Sequence, residues 1–305
     1  TRCSRDWSSD VCSSDLVRLA VDLIARLRPN AEIWVGEPTW PNHTQIVEAA
    51  GRVARRHDWI SEDARSLNTQ SLFDAIAAAK GGDAMILHGA CHNPTGIDPT
   101  PEQWQEIARE IAHRGIVPIL DFAYQGFGEG LVEDAASLRA FLATGCEVLV
   151  ASSSSKNFAL YNERVGALAI VGSDTASTAS IATHARLAVR TMWSNPTAHG
   201  GAIVATILGD AELRAQWEGE VGAMRARIAG SRAAFVAALE AHGARDFAHL
   251  RDHHGMFSLL GLSDAQLLRL REEHAVYLVA RGRINMAGLS AEIIPRVAAA
   301  VAAVL

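Results

Sequence analysis

A single lysine follows a predicted buried strand and a run of four serines. The apolar stretch 147–151 leads into Ser152 to Ser155, and Lys156 comes next. An amine at the carboxyl end of a strand lies where open α/β sheets bind their ligands. Apolar and hydroxyl neighbours favour the neutral, nucleophilic amine, which can form a Schiff base with an aldehyde. From this window alone, a strand followed by a solvated loop remains the simpler interpretation.

Polar side chains also follow two other predicted strands. Asn93 lies in the segment His-Asn-Pro-Thr-Gly after strand 83–88, and Asp121 and Tyr124 follow strand 116–120. The carboxyl ends of parallel strands meet at one edge of a sheet, so we expect these side chains to converge with Lys156. Taken singly, Asn93 is typical of a turn before proline and Asp121 of a helix cap. Their convergence is what a cofactor site needs.

The elements that would position these residues alternate between helix and strand from residue 17 onward. The predicted helices are 17–27, 43–51, 71–80, 100–113, 135–144 and 185–189, and the predicted strands are 31–35, 83–88, 116–120 and 148–151. Such alternation indicates βαβ units and a mainly parallel sheet with helices on its faces.

The pattern changes after a long predicted helix, 211–242, which contains no proline. Short strands are predicted at 256–260 and 276–279, with helices at 264–274 and 291–305. We therefore predict a smaller C-terminal α+β domain that is reached through the long helix.

Composition excludes several classes of protein. The chain has 305 residues, 49% hydrophobic and 20% charged, with a net charge of -6 and a pI near 6.0. It has no basic footprint for nucleic acid and no apolar run long enough to cross a bilayer, so we predict a cytoplasmic protein. Four cysteines without a Cys-x-x-Cys pair argue against a disulfide framework and a zinc ribbon.

The first sixteen residues differ in kind from the rest. They repeat Ser-Ser-Asp and show neither a helical nor a strand period. The segment 1–16 resembles translated sequencing-adapter sequence fused in frame, so we predict that it is non-native and leave it out of the fold argument.

The motifs taken together resemble the class I aminotransferases of fold type I, specifically the aspartate and aromatic amino acid group. The likeness runs over 17–305 and is most specific in Ser-Lys-Asn-Phe-Ala-Leu-Tyr-Asn-Glu-Arg-Val-Gly around Lys156, with Gly-Arg-Ile-Asn-Met-Ala-Gly at 282–288. It implies an α/β fold whose mainly parallel sheet is flanked by helices, with a large domain 17–215 that binds pyridoxal phosphate and a small domain 216–305.

The resemblance assigns the reacting groups. Lys156 would hold the cofactor as a Schiff base and then move the proton from the substrate Cα, and Asp121 would keep the pyridinium nitrogen protonated. Tyr124 and Asn93 would hydrogen-bond the phenolic oxygen of the cofactor. Trp40, which alone would be taken as a loop anchor between prolines, would stack on the ring.

The resemblance also assigns the groups that bind phosphate and substrate. Ser153, Ser155 and Arg164 would bind the cofactor phosphate. Arg283 would grip the substrate α-carboxylate, with Trp40 and Asn93 beside it. Arg190, otherwise a solvated basic residue, would reach across a homodimer interface to a side-chain carboxylate. His88 would support the ring system from below.

Other interpretations are weaker or stay open. His88, Cys91 and His92 could suggest a metal site, but the Asn-Pro turn and the lack of a nearby fourth ligand argue against it, and we predict no metal. A β-lyase or decarboxylase on the same cofactor, or a truncated non-catalytic fragment, are the alternatives to an aminotransferase.

The sequence departs from the family pattern in several places. Trp193 stands where tyrosine is usual, Thr197 where a second proline is usual, and Ser154 where many members carry an aromatic residue. Aspartate and aromatic substrates are therefore not separated by these residues. The family's first quarter, which includes a Ser-x-Thr phosphate cradle, has no counterpart before Val17, so we expect weaker phosphate binding and weaker dimer contacts.

Overall fold

The large sheet forms the frame of the molecule. The structure is a computed structural model that describes residues 13–305. Its sheet strands are β1 (Ile33–Glu37), β2 (Ala54–Asp58), β3 (Ala84–His88), β4 (Val117–Phe122), β5 (Val148–Ser153) and β6 (Gly166–Val171). Within the described residues they lie in the order β2-β1-β3-β4-β5-β6, all parallel except for the antiparallel pair of β5 and β6. The predicted mainly parallel sheet is confirmed.

Helices cover both faces of this sheet. They are α1 (Ser13–Leu27), α2 (Pro41–Ala49), α3 (Thr69–Ala78), α4 (Pro101–His113), α5 (Ala136–Thr144), α6 (Thr175–Met192) and α7 (His199–Gly209). Every residue of β3 and β4 is buried, as expected for central parallel strands with helices on each side. Two hydrophobic clusters therefore lie between the sheet and its helix layers.

A second core forms around the C-terminal part of the chain. Its elements are α8 (Ala211–Ala241), β7 (Phe257–Leu259), α9 (Asp264–His274), β8 (Arg283–Asn285) and α10 (Ile294–Val304). The strands β7 and β8 form a small antiparallel sheet, and α8 and α10 share a hydrophobic cluster. That cluster also includes Tyr124 and Phe127 from the loop after β4, so the second core packs directly against the predicted site.

The structure differs from the predicted elements in several places. β2 reads Ala-Arg-Arg-His-Asp and escaped prediction because an edge strand with exposed arginines lacks apolar alternation. β6, β8 and α7 were also not predicted, and α6 extends far beyond the predicted 185–189. The predicted strand 276–279 is wrong, since only an isolated bridge between Val279 and Arg283 forms there.

The start of the described chain corrects one expectation. α1 begins at Ser13 and not at residue 17, and Leu16 is fully buried in the core beneath the sheet. The last residues of the adapter-like segment are therefore folded, while residues 1–12 lie outside the described residues. The non-native origin of the segment stays a prediction. Among the helices described, none has the length and apolar character needed to cross a membrane.

Candidate active site

The carboxyl ends of the three central strands bring the predicted site residues to one edge of the sheet. His88 at the end of β3 lies opposite Asp121 of β4, and Asp121 lies opposite Ala151 of β5. Asp121 is inside the strand β4, one residue before its end, and is not in the loop after it. Its side chain is 1% exposed, so this carboxylate is held almost completely out of water.

A histidine from α2 is hydrogen-bonded to this carboxylate. His43 Nε2 lies 3.1 Å from Asp121 Oδ2, and His43 Nδ1 lies 2.8 Å from Thr39 Oγ1. If Nε2 carries the proton that it donates to Asp121, Nδ1 accepts from the Thr39 hydroxyl. The relay fixes the carboxylate orientation and leaves Asp121 Oδ1 buried with no hydrogen-bond partner among the described residues.

A row of aromatic rings adjoins the pair of His43 and Asp121. The His88 ring lies 4.7 Å from His43 and 4.4 Å from His92, and His92 stacks on Trp59 at 4.5 Å. Burial, followed by the neighbouring histidine charges, lowers the pKa of both His88 and His92 well below the usual range. These rings are therefore neutral at physiological pH, and they form an uncharged aromatic cluster next to His43, the partner of Asp121.

The loop that carries Asn93 is fixed by an internal hydrogen-bond network. The Asp98 carboxylate accepts the backbone N–H groups of Cys91 at 2.6 Å and His92 at 2.8 Å. Gly96 adopts φ +73, and a Cβ there would meet the Phe257 carbonyl oxygen at 2.5 Å. Glycine is thus required where this loop contacts β7, and the contact holds Asn93 in place.

Tyr124 connects the asparagine to the lysine. Asn93 Nδ2 donates to the Tyr124 hydroxyl at 3.4 Å, and Lys156 Nζ lies 4.8 Å from the centre of the Tyr124 ring. Burial, and then the Asp121 charge, raise the pKa of Tyr124 well above the usual range. The phenol therefore stays protonated and can act as a hydrogen-bond donor.

The loop that carries Lys156 is anchored to the two neighbouring parts of the molecule. Asn157 Nδ2 donates to the Gln125 carbonyl at 3.2 Å, and Trp217 Nε1 of α8 donates to the Asn157 carbonyl at 2.8 Å. The Trp217 ring also stacks on Phe158 at 4.3 Å. These contacts hold the lysine against the loop after β4.

The predicted phosphate ligands lie at the end of β5 and after its loop. Ser153 and Ser155 are buried, and the Ser155 N–H donates to Ser153 Oγ at 3.2 Å. Arg164 Nη2 donates to Asp15 Oδ2 at 2.5 Å and to Ser14 Oγ at 3.1 Å. The first turn of α1 therefore approaches the predicted phosphate site.

The remaining predicted residues occupy three different positions. Trp40 precedes α2 with its ring edge-on to His43 at 5.5 Å. The Arg283 guanidinium lies 5.0 Å from the centre of the Phe257 ring, and its charge acts on Tyr124. Arg190 is exposed on α6 and donates to Ser194 Oγ at 2.6 Å.

A grouping with metal-ligand spacing, found among the described residues, coincides with this site. It consists of His43, His88 and Asp121, whose ligand atoms lie within 4.8 Å of one another, and it does not include Cys91. Both nitrogens of His43 are already hydrogen-bonded to Thr39 and Asp121, so that ring offers no lone pair to an ion. This arrangement favours the hydrogen-bonded relay over a metal centre.

Comparison with known proteins identifies the family. The family model of aminotransferase class I and II matches residues 12–301, and the chain belongs to this family of enzymes. It is 47% identical to the aspartate aminotransferase of Haemophilus influenzae over 275 residues, which cover 90% of this chain and 69% of that protein. It is 45% identical to the aromatic-amino-acid aminotransferase of Pseudomonas aeruginosa, with 94% of this chain and 72% of that protein covered.

Solved structures agree with the sequence comparison. The aromatic-amino-acid aminotransferase from Burkholderia pseudomallei, in a crystal structure covalently bound to pyridoxal phosphate, superimposes with a TM-score of 0.94 at 40% identity. The match covers 97% of this chain and 74% of that one. The predicted family and fold class are confirmed.

Sequence reasoning missed two residues of the site. The sequence predicts His43 only as the first residue of a helix. Thr39 and His43 are four residues apart across the first turn of α2, a spacing that lets their side chains meet. Asp15 was excluded with the adapter-like segment. A carboxylate in the first turn of an apolar-faced helix is a recognisable helix start, and that signal could have found it.

Proposed function

We propose that this chain is an aminotransferase that moves the amino group of aspartate or an aromatic amino acid to 2-oxoglutarate, with pyridoxal phosphate bound covalently at Lys156. The observation that supports it best is that Tyr124 connects the site: its ring lies beneath the Lys156 amine, its hydroxyl accepts from Asn93, and it follows the strand that carries the buried Asp121. A nucleophilic amine and a buried carboxylate beside one phenol suit this cofactor.

The polar atoms of the site fit the cofactor. Asp121 Oδ1 and Asn93 Oδ1 are both buried and find no hydrogen-bond partner within residues 13–305. Buried oxygens without partners are costly, and a ligand N–H or O–H group supplies what they lack. A protonated pyridine nitrogen would satisfy Asp121, and the polar groups at the other edge of the ring would meet Asn93 and Tyr124.

Each residue of the site then has its own role in the reaction. The bound cofactor withdraws electrons from the substrate Cα. Lys156 is the base that takes the proton from that carbon, Asp121 keeps the ring nitrogen protonated, and His43 orients Asp121. Tyr124, neutral because of its raised pKa, would donate a hydrogen bond to the phenolic oxygen of the cofactor. Trp40, whose ring lies edge-on to His43 at 5.5 Å, would stack on the cofactor ring.

Charged side chains set the positions of cofactor and substrate. Ser153, Ser155 and Arg164 bind the phosphate, the serines as donors and the arginine by charge-assisted bonds. Arg283 binds the α-carboxylate as a fork. Its guanidinium lies 5.0 Å from the centre of the Phe257 ring, and that ring lies 5.9 Å from the ring of Tyr124. Arg190 contacts the side-chain carboxylate of substrate in a partner subunit.

The role proposed for Arg190 requires a homodimer, and an exposed apolar helix supports one. Helix α7 reads His-Gly-Gly-Ala-Ile-Val-Ala-Thr-Ile-Leu-Gly, yet only Gly200 in it is buried. Leu208 of α7 is 41% exposed and Leu187 of α6 is 56% exposed. A second copy of the chain covers this face and brings its own Arg190 to the site. The division into domains 17–215 and 216–305, and a cytoplasmic location, remain part of the proposal.

The covalent step is tested by reductive labelling. Lys156 and Lys80 are the only lysines in the sequence, and Lys80 is exposed at the end of α3. We expect borohydride reduction with pyridoxal phosphate to leave a pyridoxyl group on Lys156, located by peptide mass spectrometry. The Lys80→Arg variant should label equally, and Lys156→Arg should not. A folded protein that labels at neither lysine would contradict the proposal and favour a non-catalytic fragment.

A product assay separates the reactions that this cofactor supports. Aspartate with 2-oxoglutarate should yield oxaloacetate and glutamate in equal amounts. Cysteine, whose thiolate can leave from Cβ, would yield pyruvate, ammonia and hydrogen sulfide if the chain were a β-lyase. Aspartate would yield alanine and carbon dioxide if it were a decarboxylase. Tyrosine in place of aspartate, under the same conditions, tests the second substrate class.

A further inference from the structure

Arg164, the proposed phosphate ligand, is already bonded to a carboxylate of its own chain. Asp15 Oδ2 lies 2.5 Å from Arg164 Nη2, although the two residues are 149 positions apart in the sequence. Ser14 Oγ accepts from the same nitrogen at 3.1 Å. A carboxylate and a phosphate bind a guanidinium through the same charge-assisted geometry, so Asp15 uses a donor that the cofactor phosphate would need.

The position of Asp15 is fixed by its neighbours. The next two residues, Leu16 and Val17, are fully buried in the core, so the first turn of α1 has no freedom to move the carboxylate away as a unit. The N-terminal end of the helix dipole also favours a negative charge at Asp15. On the other side, Val165 is buried next to Arg164.

We propose that Asp15 is an internal competitor for the cofactor phosphate at Arg164. The inference rests on the proposed function, because it takes Arg164 as a phosphate ligand. When the phosphate enters, the Asp15 side chain gives up its bond to Arg164, or it stays close and repels the dianion. In both cases the carboxylate weakens phosphate binding and leaves the binding of the ring unaffected.

The expected effect is moderate. Asp15 and Arg164 are 36% and 40% exposed, so water screens their attraction and the phosphate can displace the carboxylate. Because an exposed ion pair contributes up to about 1 kcal/mol, removing the competitor should tighten pyridoxal phosphate binding by about fivefold.

The test compares two ligands that differ only in the phosphate. The Asp15→Asn variant keeps the size of the side chain and removes its charge, and Asp15→Ser serves as a second variant if the first folds poorly. Dissociation constants for pyridoxal phosphate and for pyridoxal, which lacks the phosphate, are measured by fluorescence titration. Pyridoxal phosphate should bind Asp15→Asn about fivefold more tightly than the unchanged protein, with pyridoxal unaltered.

A matched control removes the same charge from the same helix. Asp22→Asn neutralises a carboxylate of α1 that pairs with Arg18 at 3.0 Å and lies about two helical turns from Asp15. It should leave both dissociation constants unchanged. In an Arg164→Met background, Asp15→Asn should no longer give a preference for the phosphate ligand.

Each outcome decides the inference separately from the proposed function. Equal affinity of the Asp15→Asn and unchanged proteins for pyridoxal phosphate would overturn it, as would an equal gain for pyridoxal. If neither aldehyde binds, the proposed function fails, and calorimetry with inorganic phosphate decides the inference alone. Tighter phosphate binding by Asp15→Asn then supports it, whereas equal or absent binding in both proteins overturns it.

Discussion

At the scale of single residues, Tyr124 is the group that joins the two halves of the site. Its hydroxyl accepts from Asn93, its ring lies under the Lys156 amine, and its protonation depends on burial and on Asp121. The raised pKa of Tyr124 means that this phenol does not ionise in the working range of an enzyme near neutrality. It contributes a fixed donor, and the pH dependence of the reaction must come from other groups.

Removal of this hydroxyl gives the first prediction. Tyr124→Phe should weaken pyridoxal phosphate binding by about fivefold, because one hydrogen bond contributes about 1 kcal/mol. The pH profile of activity should lose no limb, since the neutral phenol does not titrate there, but it should shift towards higher pH because the lost donor no longer stabilises the deprotonated cofactor. Tyr277→Phe removes the same hydroxyl from a side chain that is 75% exposed and should change neither quantity. A lost limb of the pH profile in Tyr124→Phe would contradict this assignment.

The relay behind Asp121 gives a second prediction at the same scale. His43→Phe keeps a ring in place but leaves the buried Asp121 carboxylate without its donor, so activity should fall by about tenfold or more, as expected for a buried charge that loses a hydrogen bond. Circular dichroism should show an unchanged fold. His43→Gln, which can still donate, should retain more activity than His43→Phe, and the reverse order would contradict a positioning role.

At the scale of elements, α8 matters because it holds the lysine loop from the C-terminal side. Trp217 Nε1 donates to the Asn157 carbonyl while its ring stacks on Phe158. Helix α8 therefore contacts the loop that carries Lys156 through the Trp217 side chain. That connection explains how a helix without a residue in the proposed chemistry can position Lys156.

Loss of this single hydrogen bond should loosen the loop. Trp217→Phe retains an aromatic ring but not the N–H group, and we expect the free energy of unfolding to fall by about 1 kcal/mol and borohydride labelling of Lys156 to slow. Trp193→Phe is the matched control, since the buried Trp193 Nε1 finds no acceptor within the described part of the chain. That change should be neutral or slightly stabilising. If both variants lost the same free energy of unfolding, the smaller ring and not the lost hydrogen bond would be the cause.

At the scale of the whole molecule, buried histidines make stability depend on pH. His57 on β2 is 6% exposed, and burial lowers its pKa to about 4. The unfolded chain binds a proton near the ordinary histidine pKa while the folded chain does not, so stability falls as pH drops from about 6.5 towards 4. His88 and His92, whose pKa values are also lowered, add to the same slope.

This acid sensitivity is measurable by urea unfolding at several pH values. His57→Leu should reduce the slope between pH 6.5 and 4 by up to about 1.4 kcal/mol per pH unit, the contribution of one proton. His184→Leu, at an exposed position of α6, should leave the slope almost unchanged. If the free energy of unfolding changed with pH equally in His57→Leu and in the unchanged protein, the prediction would be contradicted.

The proposed homodimer is also tested at this scale. Leu208→Glu places a charge on the exposed apolar face of α7 and should raise the dimer dissociation constant by about thirtyfold, since an unpaired buried charge costs at least about 2 kcal/mol. Leu268→Glu on α9, at a site with 43% exposure, is the control for an added surface charge. Analytical ultracentrifugation measures the fraction of dimer, which should fall in Leu208→Glu and not in Leu268→Glu. Equal mass distributions for the two variants would place the interface elsewhere.

The sequence by itself determined the family and most of the central sheet. Apolar runs such as β3 and β4 are readable because a strand buried on both faces needs no polar alternation. Asn93, Asp121 and Lys156 could be found because they end or follow such strands. The edge strand β2 and the apolar helix α7 could not, since their patterns depend on what lies beside them.

Only the tertiary structure decided which distant side chains meet. His43 and Asp121 are 78 residues apart, and Asp15 and Arg164 are 149 apart, so no local period encodes either contact. Both arise because α1 and α2 pack on the sheet near the carboxyl ends of its strands. Helix packing is set by the shape and burial of whole faces, and it therefore determined the partner of the buried Asp121 carboxylate and the ion pair between Asp15 and Arg164.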